Sequence, residues 1–181
     1  MLAYVFWHWP SPEIGTDAYE DLQRAFHRAL AQAASPGFRE SVVFRIDAGA
    51  PWLGGAPAYA DWYLLDGSAA LDPLNVAAVS GACEEPHDRV AHAAAAGVGS
   101  LLALRGQQAN VAAARHSTWL AKPKGMPYAD FYAVLESVPD SLWRRQMVLG
   151  PTPEFGILSP DPVTVPAAFQ PLGLKLAPIT G

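Results

Sequence analysis

The stretch LAYVFWHW at residues 2–9 decides how the rest of this 181-residue chain is interpreted. Its β-branched and aromatic side chains, followed by Pro10, are typical of a buried β-strand that ends at a proline. No basic residue precedes this apolar run, and His8 interrupts it, so it makes a poor signal peptide. The sequence therefore predicts that the fold begins with a β-strand.

Helical and strand-like stretches alternate after this first strand. Apolar residues recur at helical spacing over residues 17–33. Residues 66–80 also look helical, with a break at Asp72-Pro73, and the start Glu84-Glu85-Pro86 predicts a further helix over residues 84–96. Three other stretches have the alternation or the composition of strands, and these are residues 41–47, 59–66 and 100–104. The order β-α-β-β-α-β predicts a split-βαβ, ferredoxin-like unit over residues 1–108.

The same pattern begins again in the second half of the chain. Strand, helix, strand and strand are predicted in that order over residues 115–122, 128–138, 142–149 and 154–158. Seven of the 17 prolines then fall in the last 31 residues, where they disfavour a further helix and strand. We therefore predict an internal duplication whose second unit, βαββ over residues 109–158, is incomplete. Residues 159–181 are predicted to form a proline-rich extended C-terminal arm.

Two short segments, together with this tandem order, carry a family resemblance. They are Trp-His-Trp-Pro at residues 7–10 and Lys-Pro-Lys-Gly-Met at residues 122–126. The chain resembles the dimeric α/β-barrel superfamily, and within it is most similar to EthD-like and related ferredoxin-like proteins. The resemblance implies an α+β fold of the dimeric α/β-barrel type, in which two ferredoxin-like units pair their sheets around a small-molecule pocket. An incomplete second unit leaves a sheet edge to be covered, so a homodimer is expected.

Polar side chains on the predicted strands mark the candidate site. One face of a ferredoxin-like sheet packs on helices and is expected to be apolar, whereas the other face lines the barrel and can be polar. Strand alternation then turns Asp61 and Tyr63 toward the barrel interior, with Trp62 on the opposite face. On the first strand alternation leaves both faces open, and His8 belongs to the more polar of the two sets. The other polar residues assigned to the interior are Arg45, His116, and Arg145 or Gln146.

The chemistry of these side chains indicates their roles. A histidine oriented by a carboxylate acts as a general base near neutral pH, so His8 or His116 is the candidate base and Asp61 its partner. Arg45 is the candidate group that holds a developing oxyanion or a substrate carboxylate. The further candidate substrate-binding residues are Tyr63, Trp62 and Arg145. The tryptophans around them suit an aromatic or polyketide-like ligand.

Composition and motifs argue against several classes of function. The net charge of −5 argues against a nucleic-acid or anionic-membrane surface. No apolar stretch approaches the roughly 20 residues that span a bilayer. The single cysteine, Cys83, forms no internal disulfide, so a reducing cytoplasm is expected. P-loop, dinucleotide-binding, nucleophile-elbow and His-Glu-x-x-His motifs are absent from the sequence.

The spacing of the histidines argues against a metal site. His87 and His92 are five residues apart, which places them about 140° apart around a helix, so they do not share a face. No metal and no cofactor are therefore predicted. One of His27, His87 or His92 is kept as an alternative axial ligand to haem, which needs only one imidazole.

The sequence thus predicts a small-molecule enzyme of the cofactor-independent monooxygenase or isomerase type, with an aromatic-lined pocket in the barrel. Two alternatives from other classes are left open. One is a non-catalytic ligand-binding or self-associating protein, and the other is a haem-binding protein. The expected partners are a small aromatic or apolar molecule and a second copy of the chain.

Overall fold

The structure, a computed structural model, describes residues 1–46, 50–53, 57–106, 110–136 and 141–180. Within these ranges eight strands are found: β1 (Leu2–Pro10), β2 (Phe38–Ile46), β3 (Ala58–Leu65), β4 (Ala94–Leu104), β5 (His116–Leu120), β6 (Leu142–Arg145), β7 (Phe155–Ser159) and β8 (Leu172–Pro178). The same ranges contain four α-helices: α1 (Thr16–Ala33), α2 (Leu71–Ala78), α3 (Glu84–Ala93) and α4 (Tyr128–Leu135). None of these helices has both the length and the apolar character that crossing a membrane requires.

The strands form one closed antiparallel barrel in the order β1-β3-β2-β8-β5-β7-β6-β4. The first half of the chain contributes β4-β1-β3-β2 and the second half contributes β8-β5-β7-β6. The two halves meet where β2 pairs with β8 and where β4 pairs with β6. The prediction of tandem ferredoxin-like units of the dimeric α/β-barrel type is therefore wrong. The strands do not form open sheets that a second chain must complete, because one chain closes the barrel by itself.

The prolines of the C-terminal segment were expected to exclude a further strand, but Leu172–Pro178 form β8. Pro171 precedes β8 and Pro178 is its last residue, so these prolines stand at the ends of the strand and leave the backbone donors inside it intact. The first part of β8 pairs with β5 and the last part pairs with β2. Among the described residues, the second half of the barrel therefore has the fourth strand that was predicted to be missing, but no α-helix follows β7. The homodimer stays a prediction, but it loses the argument from an uncovered sheet edge.

Indole rings fill much of the barrel interior. Trp7, Trp62, Trp119 and Trp143 are each no more than 1% exposed. The rings of Trp7 and Trp119 meet edge to face, with their centroids 5.3 Å apart. Aliphatic side chains from the inward faces of the strands complete this core. The four rings thus pack on one another and on aliphatic groups, as in the core of a small barrel.

Helices cover the outside of the barrel on two sides. Helix α1 packs on the outward side chains of β1, β2 and β3, and α3 lies beside it. Helix α4, together with Phe169, covers the outward side chains of β5 and β7. The molecule therefore has two helix-covered outer faces, which we call the α1 face and the α4 face.

Candidate functional site

His8, Asp61 and Tyr63 lie on the α1 face, on the outside of the barrel. Their neighbours in the chain, Trp7 and Trp62, point into the barrel core. The assignment of faces made from the sequence is therefore reversed. The buried tryptophan rings fill the barrel interior, whereas polar side chains on the outer face find hydrogen-bond partners on α1.

A continuous chain of hydrogen bonds runs through Asp61 from α1 to β2. The Tyr19 hydroxyl lies 2.6 Å from His8 Nδ1, and His8 Nε2 lies 2.8 Å from Asp61 Oδ1. On the other side of the carboxylate, Oδ2 lies 3.3 Å from His27 Nε2, and His27 Nδ1 lies 2.7 Å from Ser41 Oγ. The side chains that form this series of hydrogen bonds are almost fully buried, apart from Ser41 at its end.

Asp61 is held as a carboxylate although it is buried. Burial by itself raises the pKa of this group, but it is outweighed by the charges that His8 and His27 carry when protonated and by their hydrogen bonds, which together hold the pKa well below its usual range. Tyr63 donates a further hydrogen bond to Oδ2, at 3.0 Å. Since a carboxylate only accepts, His8 Nε2 carries a proton, and a neutral His8 then presents a lone pair at Nδ1 to the Tyr19 hydroxyl. Asp61 thus fixes the tautomer that makes His8 a base.

The tyrosines around the carboxylate keep their protons. Burial, followed by the negative charge of Asp61, raises the pKa of Tyr19, Tyr63 and Tyr4 above the ordinary tyrosine value. Tyr19 is therefore a phenol in the resting protein, and its O–H group donates to His8. Within this chain of hydrogen bonds, the proton acceptor of the Tyr19 hydroxyl is His8 Nδ1.

Arg45, which was predicted to bind an anion, pairs with a carboxylate of the protein. Its Nη1 lies 2.9 Å from Glu20 Oε1, and the Tyr59 hydroxyl donates to the same oxygen at 3.4 Å. Burial and the charge of Glu20 raise the pKa of Tyr59 to about 12. The ring of Tyr59 also stacks on His8, with the centroids 5.6 Å apart. Arg45 therefore belongs to a second polar cluster that adjoins the Asp61 chain.

A cavity of about 710 Å³ lies between the outer faces of β1 and β3 and the helices α1, α2 and α3. Its buried polar lining is formed by His8, Tyr19, Gln23, Asp61 and Tyr63. Most of its other lining is apolar and includes Phe6, Phe26, Leu30, Leu71, Leu74 and Val90. Glycine is required at position 97 of β4, because a Cβ there would collide with the ring of Phe6. The volume is that of a small-molecule site.

Besides Arg45, three of the predicted site residues lie away from this cavity. His116 is half-buried on β5, and two strands, β2 and β8, separate β5 from the strand that carries Asp61. Arg145 on β6 donates to backbone carbonyl oxygens in residues 150–152 and so holds the turn before β7. Trp62 belongs to the barrel core. The structure therefore does not bring these three residues to the Asp61 chain.

Helix α1 contributes functional residues that the sequence reasoning missed. Tyr19, Gln23 and His27 follow one another at four-residue spacing, and each is at most 4% exposed. A signal was present, because polar Gln23 and His27 share a buried helix stripe with Phe26, and buried polar groups need partners on the facing strands. Ser41 carries no such signal, since a serine is ordinary on an alternating strand.

The histidines kept as haem alternatives have different surroundings. His27 has both ring nitrogens in hydrogen bonds. His92 is exposed and contacts a backbone oxygen through Nδ1, whereas His87 lines the cavity. Throughout the ranges given above, no group of three or more His, Cys, Asp or Glu side chains is placed to hold a metal ion. Haem binding stays a prediction, with His87 as the candidate that borders the cavity.

Comparison with known proteins assigns no family to the chain. No model of a protein family matches it, and no similar protein is found among curated sequences. The resemblance to EthD-like and related proteins therefore stays a prediction. The chemistry available to this molecule follows from the geometry around Asp61 and the cavity beside it.

Proposed function

We propose that this protein is an enzyme that transfers protons on an uncharged, largely apolar small molecule, as a cofactor-independent isomerase does. The observation that supports the proposal best is the chain Tyr19–His8–Asp61 in the lining of the 710 Å³ cavity. A base with a fixed tautomer beside a mostly apolar cavity is the arrangement that general acid–base catalysis needs. Proton removal also begins a cofactor-independent oxygenation, the other reaction type predicted from the sequence.

The reaction starts from neutral His8 and ionised Asp61. The Tyr19 oxygen takes a proton from the carbon next to a substrate carbonyl, while Tyr19 passes its own proton to His8 Nδ1. The electron pair of the broken C–H bond stays on the substrate as an enolate. The imidazolium that forms at His8 is paired with the Asp61 carboxylate. Return of the proton to a different carbon completes the isomerisation and restores the starting state.

Burial strengthens the ion pair on which this step depends. His8 and Asp61 are 1% and 3% exposed, so water screens the attraction between imidazolium and carboxylate only weakly. The carboxylate is already ionised and hydrogen-bonded before the substrate binds. The site therefore needs little reorganisation when the charge on His8 develops.

Deuterium exchange into a simple carbon acid tests the proposal. β-Tetralone, an uncharged bicyclic ketone, is incubated with the full chain in heavy water, and the loss of its α-proton signals is followed by NMR. The wild-type protein is expected to accelerate the exchange over buffer. Asp61→Asn is expected to lose about 100- to 10,000-fold of that acceleration, because His8 then loses the carboxylate that fixes its tautomer.

Asp66→Asn is the matched control for this experiment. Asp66 follows the same strand, but its side chain is exposed and pairs with Arg39, so exchange at the wild-type rate is expected. Far-UV circular dichroism establishes that both variants fold. No acceleration by the wild-type protein, or equal acceleration by Asp61→Asn, contradicts the proposal. Binding of β-tetralone without exchange favours the non-catalytic ligand-binding alternative.

We also propose that the protein is located in the cytoplasm. Cys83 is the one cysteine of the chain, and it is buried and free. Burial raises the pKa of its thiol, so it is a weak nucleophile. A buried free thiol suits a reducing compartment.

A further inference from the structure

We infer that Gln23 recognises an O–H or N–H group of an uncharged aromatic substrate through its side-chain carbonyl oxygen. The inference rests on the proposed function, because it names the class of molecule that would occupy the cavity beside His8. Because the inference concerns binding, a binding measurement tests it separately from catalysis.

Gln23 lies one helical turn after Tyr19 on α1. The Tyr19 hydroxyl donates to His8 Nδ1. A side-chain contact with Gln23 lowers the Tyr19 pKa and so partly offsets the effect of burial. The Gln23 amide group therefore lies beside the Tyr19 hydroxyl in the lining of the cavity.

The Oε1 atom of Gln23 is buried and has no hydrogen-bond partner in the part of the chain that the structure describes. Gln23 is 2% exposed and lines the cavity. Buried carbonyl groups of native proteins are almost always paired, and leaving one unpaired is unfavourable. A hydrogen-bond donor on a molecule bound in the cavity would give this oxygen the partner that it lacks.

The charges around the cavity argue against an anionic ligand. Among the described residues, the lining contains the carboxylates of Asp61 and Asp72 and no lysine or arginine side chain. A carboxylate or phosphate ligand would lose its hydration without gaining a counter-charge. Phe6 and Phe26 offer flat apolar surfaces, and residues 94–97 of β4 are small. A neutral aromatic molecule with a donor group matches this lining.

Two probes with the same ring system separate the donor contact from general apolar binding. β-Naphthol carries an O–H donor, whereas β-naphthyl methyl ether presents the same rings without it. Titration calorimetry on the full-length wild-type protein is expected to give about tenfold tighter binding of the naphthol. In Gln23→Met, which keeps the side-chain length but has no carbonyl group, the ratio is expected to fall to about one, because naphthol binding weakens.

Gln32→Met is the matched control, because Gln32 is an exposed glutamine on the same helix. Its naphthol-to-ether ratio is expected to equal that of the wild-type protein. Equal binding of the two probes by the wild-type protein overturns the inference, and so does a naphthol preference that persists in Gln23→Met. Failure of the wild-type protein to bind either probe also overturns it, since the aromatic class is then wrong.

The two experiments test separate claims. The naphthol-to-ether binding ratio tests the role of Gln23, and the exchange of β-tetralone tests the proposed enzyme. Exchange without a preference for naphthol supports the proton-transfer enzyme and overturns the role of Gln23. A preference for naphthol that depends on Gln23, without any exchange, supports the role of Gln23 and contradicts the proposed enzyme.

Discussion

The α1 face and the α4 face of the barrel are built alike and filled differently. In each, a helix covers the outward side chains of neighbouring strands from one half of the barrel. The core under α4 is formed by apolar side chains, which are Leu120, Phe131, Leu135, Phe155, Ile157 and Phe169. Under α1, similarly buried positions hold Tyr19, His8, Asp61 and His27.

The contrast shows that this fold does not require a polar layer between helix and barrel. The α4 face is held by ring contacts such as Phe131 with Phe155, whose centroids are 4.5 Å apart. A buried polar network carries a desolvation cost that apolar side chains avoid, and replacing such a network by apolar residues is often neutral or stabilising. The proposed proton transfer would account for the network under α1, which the stability of the barrel does not require.

The largest change in stability is expected on the α4 face. Phe131→Ala removes a fully buried ring and is expected to lower the free energy of unfolding by about 3–5 kcal/mol. Urea denaturation with linear extrapolation measures this loss. Exchange of β-tetralone per folded molecule is expected to stay at the wild-type level. Loss of exchange in folded Phe131→Ala would mean that the α4 face takes part in the chemistry, and the contrast between the two faces would fail.

A smaller loss of stability is expected at low pH, and it arises from the α1 face alone. The pKa of Asp61 is lower in the folded protein than its ordinary value of about 3.9, so the unfolded chain binds more protons in acid. The stability contributed by this carboxylate is fully present above about pH 5, and about 1 kcal/mol of it is lost by pH 3, where an unfolded Asp61 is mostly protonated and the folded one is not. Urea denaturation at neutral pH and at about pH 3 measures the loss.

Two variants assign this acid sensitivity to one face. Asp61→Asn is expected to lose less stability between the two pH values than the wild-type protein loses. Asp130→Asn, which removes an exposed carboxylate from α4, is expected to lose as much as the wild-type protein. The same acid-dependent loss in Asp61→Asn and in the wild-type protein would show that Asp61 is not held as a carboxylate by its partners.

Local patterns were sufficient to predict many elements of the fold but not its closure. The strand at residues 2–9 and the helix from Thr16 are present as β1 and α1, because composition and helical spacing are local properties. The barrel closes through pairs between strands that are distant in the sequence, β2 with β8 and β4 with β6. Pro171 and Pro178 concealed β8, since a count of prolines does not show that they stand at the ends of a strand.

The candidate site was predictable only where strand pairing brings residues together. Phe6 pairs with Asp61 in the register of β1 and β3, so His8 is a diagonal neighbour of Asp61 on the same face. Alternation divides each strand into two sets of side chains but does not say which set faces the helices, and so the faces were reversed. Tyr19 and Gln23 reach the site through the docking of α1, which depends on tertiary packing rather than on any local pattern.

The most direct test of proton transfer on the α1 face compares two histidines. His8 belongs to the Asp61 chain, whereas His116 lies on β5 outside it, and each is replaced by glutamine in an otherwise unchanged protein. We predict that folded His8→Gln loses about 100-fold or more of the acceleration of β-tetralone exchange, while His116→Gln exchanges like the wild-type protein. Equal exchange in the two variants, or a loss in His116→Gln alone, would contradict the assignment of His8 as the base.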